Sequence, residues 1–279
     1  MFKYMKKIGL SALLALALLT GCGDGGEKQA QLHLQKAEQA LLLGNFSEAK
    51  LQIDSIKMLY PKAFEARKQG IKVMQQVDLK EQTKTLAYLD SVVLVKQAQL
   101  DSIKGDFVLE KDTAYQDIGN YFYPTQTVEK SLGRSFLRGQ VNELGEMSLT
   151  SIYCAGGQLH HTSVKVSVGD LFAETSISKD SYETTDLGKT IEKSDYKIGE
   201  DGGVVGFIIA NQDKNIQLHF IGDKTYRTVM DKNDRKAIVK LADLARILSS
   251  MEEIRKQQKE ASLKIQFVSR KIEEGQTVK

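Results

Sequence analysis

Thiols and imidazoles, the side chains most ready for nucleophilic, acid–base or metal chemistry near neutral pH, are few: two cysteines, Cys22 and Cys154, and four histidines. Cys154 is followed by Ala155-Gly156-Gly157 and then by His160. A thiolate within hydrogen-bond reach of an imidazole is a nucleophile, and a spacing of six residues across a glycine turn permits that approach without requiring it. Cys154 and His160 are therefore a candidate thiol or metal site, set against the plainer reading of Cys154 as a small core hydrophobe before a hairpin turn. His160 and His161 are adjacent, and neighbours on a strand point to opposite faces, so the two cannot share one ion without a bend. They read as exposed strand or turn residues.

Other chemistry is excluded residue by residue. Asp231-Lys232-Asn233-Asp234-Arg235-Lys236 has calcium-loop spacing at its start. It lacks the glycine at loop position six, and Ala242 stands where a bidentate glutamate belongs. The segment reads as a solvated helix start. No Gly-x-Ser-x-Gly, His-Glu-x-x-His, phosphate-binding or dinucleotide-binding fingerprint occurs, so no cofactor is expected. Tyr121-Phe122-Tyr123-Pro124 is the densest aromatic cluster. Tyr121, Phe122 and Tyr123 are a candidate interaction surface, since aromatic faces stack on sugars and anchor interfaces. The plainer alternative packs them where the first long helix joins a β domain.

Two helical regions must position these residues around a β-rich middle, an α+β arrangement. His33–Leu43 and Ser47–Tyr60 read as helices separated by Gly44-Asn45 and stopped by Pro61. Ala37, Gly44, Phe46, Ala49, Ile53 and Pro61 resemble a tetratricopeptide unit, with His33 and Ile53 standing where larger aromatics are usual. No second copy follows, so the resemblance implies a helical hairpin and no solenoid groove. A helix-compatible stretch then runs from Lys62 to about Lys104, with Leu86, Leu89, Val93, Lys96, Leu100 and Ile103 along one seam. At the other end Leu241, Leu244, Leu248, Met251, Ile254, Gln258, Ala261, Ile265, Val268 and Ile272 form a second seam, with Asn233 or Asp234 as its N-cap. Either the two seams pair antiparallel, or each packs separately on the middle domain.

Within that middle, Val164–Val168 and Ile216–Phe220 alternate at period two. Gly203–Ala210 is a continuous apolar run, which reads as a strand buried on both faces and turned into the Ile216 strand by Asn211–Asn215. Six to eight strands are expected, as an antiparallel sandwich or open barrel. The boundaries that follow are a leader over 1–21, a tether over 22–27, helices over 28–104, β structure over 105–231, a long helix over 232–274 and a tail over 275–279.

The leader sets the compartment. Lys3, Lys6 and Lys7 precede an apolar stretch from Ile8 to Leu19, signal-peptide length rather than the roughly twenty residues a membrane-crossing helix needs. Leu19-Thr20-Gly21-Cys22 then resembles the lipobox of bacterial lipoproteins. The resemblance implies cleavage before Cys22, acylation of its thiol and new amino terminus, and stable anchoring by two or three chains. It also leaves Cys154 without a disulfide partner. Surface-exported lipoproteins carry a denser acidic cluster than Asp24 and Glu27 supply, which favours the periplasmic side of the outer membrane over the cell surface.

Without residues 1–21 the chain carries 36 basic and 36 acidic residues. That balance excludes a nucleic-acid binder, which needs a basic excess to displace phosphate counterions. The expected function is a non-catalytic, lipid-anchored envelope protein, a structural or interaction module using its helices and β domain. The expected partners are the membrane, through the lipid, and another protein. The alternative is a carbohydrate-binding or carbohydrate-processing lipoprotein using the β domain.

Overall fold

A computed structural model describes residues 26–127, 133–186 and 188–277, without the side chains of 276 and 277. The lipobox and Cys22 lie outside these residues. The chain divides into two compact units, one of Met1–Tyr88 with Gln258–Lys279 and one of Leu89–Gln257.

The first unit is helical. Helix α1 (Glu27–Leu42) and α2 (Phe46–Leu59) form the expected hairpin, and α3 (Phe64–Ile103) begins after Pro61. Asn45 caps α2 by accepting from the Glu48 amide at 3.2 Å. Glu27 does the same for α3, accepting from the Ala66 amide at 2.7 Å. Ala30, Ala37, Ala49, Ala63 and Ala66 are fully buried, so small side chains allow the close helix crossings. His33 hydrogen-bonds Gln52 at 2.6 Å and leans on the Tyr60 ring, filling the space with a smaller ring than the resemblance implied.

The second unit contains two antiparallel sheets. Ten strands are present among the described residues: β1 (Val108–Glu110), β2 (Asn120–Phe122), β3 (Phe136–Asn142), β4 (Met147–Ala155), β5 (Ser163–Val168), β6 (Leu171–Glu174), β7 (Ser181–Asp186), β8 (Lys189–Lys197), β9 (Gln217–Ile221) and β10 (Thr225–Val229). One sheet has the order β1-β2-β3-β4-β8-β7 and the other β10-β9-β5-β6. The number exceeds the six to eight expected because β1, β2 and β6 are too short to show alternation. Leu137, Leu149, Val164, Val166, Leu218 and Phe220 meet in a single core with Leu241 and Leu244 of α5 (Lys232–Thr277).

Gly203–Ala210 departs from its sequence reading. It forms α4 (Val204–Ala210), with the Val205 amide bonded to Asp201 Oδ2 at 3.1 Å. Gly203 stands at φ +80°, a conformation that favours glycine. A short apolar run carries no period, so length and composition mimic a buried strand, while in the fold Asp201 accepts from the first turn of a helix.

Helix α5 packs against α3, as the paired-seam reading expected. In the second unit Leu100 lies in one cluster with Leu248 and Met251, and Lys240 reaches Asp106 at 3.7 Å. The seam continues along α5 in the first unit, where Ala261 and Val268 are buried. The N-cap of α5 is neither Asn233 nor Asp234 but Asp231, which accepts from the Asn233 amide at 2.7 Å. Asp234 is buried rather than solvated: Arg134 grips it at 2.6 and 2.9 Å, and Gln126 bonds it at 3.0 Å. Gln126 also bonds Leu137 O and the Gly139 amide, which fastens the start of α5 to β3.

Candidate functional site

The densest arrangement of reactive side chains lies inside the second unit. Registers Ser151↔Ser194 and Tyr153↔Glu192 place Ser151 and Tyr153 of β4 on one face with Glu192, Ser194 and Tyr196 of β8. That face is turned inward, so β8 buries Thr190, Glu192, Ser194 and Tyr196. The segment from β4 to β5 crosses it. Its Leu159 and His160 amides donate to Glu192 Oε1 at 2.6 and 2.9 Å. The His161 amide donates to Oε2 at 2.8 Å, and the His161 ring meets the same oxygen through Nδ1 at 2.9 Å.

His161 Nε2 then lies 2.7 Å from Ser151 Oγ. Tyr196 Oη stands 3.2 Å from the same serine and donates to Thr162 O at 3.2 Å. A carboxylate only accepts, so Nδ1 carries the proton and the Ser151 hydroxyl donates to Nε2. Burial alone would raise the Glu192 pKa, but the three amides and the His161 ring together hold it below the usual carboxylate value. Burial lowers the His161 pKa and outweighs the attraction of Glu192. The pair is therefore an ionised carboxylate against a neutral imidazole.

Glutamate, histidine and serine linked in this order form the relay that activates serine nucleophiles. Access decides against that chemistry here. Ser151 has 0 % exposure, and the His161 and Glu192 side chains have 0 and 1 %. The rings of Tyr153 and Phe220 pack edge-on to His161. In this state no substrate touches Oγ, and the relay works as a clamp that ties β4 and β8 to the segment entering the other sheet.

His161 was expected at the surface and is instead this clamp's centre. Its neighbour His160 does stand at the surface, in a left-handed conformation with φ +52°. His160 Nδ1 meets Glu183 Oε1 at 2.8 Å, and that hydrogen bond raises its pKa. Ligand atoms of His160, Glu183 and Glu192 lie within 4.8 Å of one another. Both Glu192 oxygens already accept two N–H groups each, which exhausts the carboxylate and leaves an ion only two ligands.

Cys154 follows Tyr153 on β4 and so projects from the opposite face, where its backbone bonds Ser135. The structure does not bring Cys154 and His160 together. Cys154 is half-buried and free. The aromatic trio is not an exposed platform either: Tyr121 and Phe122 are buried, and Tyr123 is half-buried edge-on to Phe107. Phe122 lies beneath the Arg138 guanidinium, whose own pKa burial lowers.

Sequence reasoning missed Ser151, His161 and Glu192 as a group. The available signal was the alternation Thr190-Ile191-Glu192-Lys193-Ser194, but it points the wrong way, because here the polar positions face inward. Among the described residues no helix is long and apolar enough to cross a membrane. The chain matches no protein-family model, no curated protein and no solved structure.

Proposed function

We propose that the protein is a lipid-anchored envelope protein that works by contact rather than catalysis, with Cys22 acylated in the outer membrane and the folded units on its periplasmic side. The observation supporting action by contact is where apolar side chains are left uncovered. On the helices of the first unit Leu42, Leu43, Met58 and Phe64 are 80, 78, 76 and 71 % exposed. Exposed apolar side chains that share one surface mark interaction sites, and Phe64 lines a cleft together with the exposed Ile71. The most reactive group of the second unit, by contrast, is enclosed. The carbohydrate reading loses the aromatic platform it was argued from, since Tyr121 and Phe122 are buried.

Cell fractionation of Cys22→Ser tests the anchor. The substituted protein is expected to leave the membrane fraction, and unchanged retention there would overturn the anchored reading.

A further inference from the structure

A cleft of about 590 Å³ opens between α2 and α3 in the helical unit. Its apolar lining comes from Ile53, Ile56, Phe64, Ile71 and Met74, with Phe64 and Ile71 71 and 62 % exposed. Gly70 lies in the cleft beside the Ile53 and Ile56 side chains. Along α3 the lining falls at Phe64, Arg67, Lys68, Ile71, Met74 and Asp78. This is a single helix face about four turns long, or about 21 Å at 1.5 Å per residue.

Both walls are helices whose backbone groups are satisfied internally. An extended peptide laid there would leave its own peptide groups without partners, whereas a helix brings its hydrogen bonds with it. The charges around the cleft are unequal. Asp78 is already held by Lys50 at 3.5 Å. Lys50 also holds Glu81 at 2.6 Å, so the imbalance lies in the lining itself, where Lys57, Arg67 and Lys68 outnumber Asp54 and Asp78, and Lys57 and Lys68 make no ion pair among the described residues.

We propose that this cleft is the docking site for an amphipathic helix of a partner protein, apolar along one stripe and acidic beside it. The proposal rests on the contact reading above and adds the chemistry of the partner. About four turns of helix fill the cleft, with Leu- or Ile-like side chains on Ile71 and Met74 and carboxylates against Lys57 and Lys68.

The test uses the purified protein and two labelled model helices of about 16 residues sharing one leucine stripe, with glutamates or lysines flanking it. Fluorescence anisotropy is expected to show the glutamate helix binding at least tenfold more tightly. Ile71→Glu should remove that binding, and Lys57→Glu with Lys68→Glu should reverse the preference. Circular dichroism of each variant reports whether the helices persist. Equal binding of the two peptides, or binding indifferent to Ile71→Glu, would overturn the proposal. So would a self-associated protein in light scattering that Ile71→Glu dissociates and that takes up neither peptide. Binding in solution does not depend on acylation, so unchanged membrane retention of Cys22→Ser with peptide binding intact would strike only the envelope reading.

Discussion

Glu192 accepts four N–H groups from the segment between β4 and β5, more than Ser194 and Tyr196 of β8 contribute with one bond each to His161 O and Thr162 O. Glu192→Ala should lower stability by about 3 kcal/mol in urea unfolding, because it leaves two buried amides, one part-buried amide and a buried imidazole without their acceptor. The pH dependence has a definite sign. Both His161 and Glu192 have folded-state pKa values below their ordinary ones, so each contributes stability above the unfolded value that is lost on acidification. The histidine part is lost as pH falls below 6.5 and the glutamate part below 4.5. His160 has the opposite sign, losing its contribution as pH rises through its raised value, and its exposure keeps that contribution small. Urea midpoints between pH 7 and 5 should therefore fall, and His161→Gln should flatten the slope. On the outer face of the second sheet His219 is lowered by partial burial and then by Arg227 and Lys165, which flank it across the strands. Arg227→Gln should raise the His219 pKa in an NMR titration, while an unmoved value would mean the two do not couple.

At the scale of elements, the contact of the β3–β4 turn with α5 has little tolerance. Gly145 has φ +84°, and a Cβ there would lie 2.8 Å from the Ala245 carbonyl oxygen on α5. Gly145→Ala should cost about 2 kcal/mol or more by thermal unfolding, since strain and overlap act together. The α3–α5 seam was legible because both helices keep a 3,4 repeat long enough to average out local accidents, and the buried positions follow it at Leu89, Leu100, Leu248 and Ala261. Helix α4 was not legible, because seven residues give only about two turns and Asp201, which accepts from its first turn, sits among glycines that signal a turn.

For the whole molecule, processing and charge are linked. Under the proposed lipoprotein processing, cleavage before Cys22 would remove three lysines and no acid, so a processed form should focus closer to neutrality than its precursor. A mature form that focuses with the precursor would mean the leader is retained. What the sequence by itself determined is the pattern that repeats over distance: an α+β chain, the helical hairpin, two long helices with apolar seams, and antiparallel strands between them. These follow from periodicity, which every residue of a long element reinforces. Only the tertiary structure decided which polar residues go inside. Glu192 lies 31 residues beyond His161, which itself follows Ser151 by 10, and their burial is tolerable only because strand register and a crossing loop bring donors to each acceptor. That satisfaction is a property of the assembled unit. No stretch of sequence contains both the charge and the groups that neutralise it.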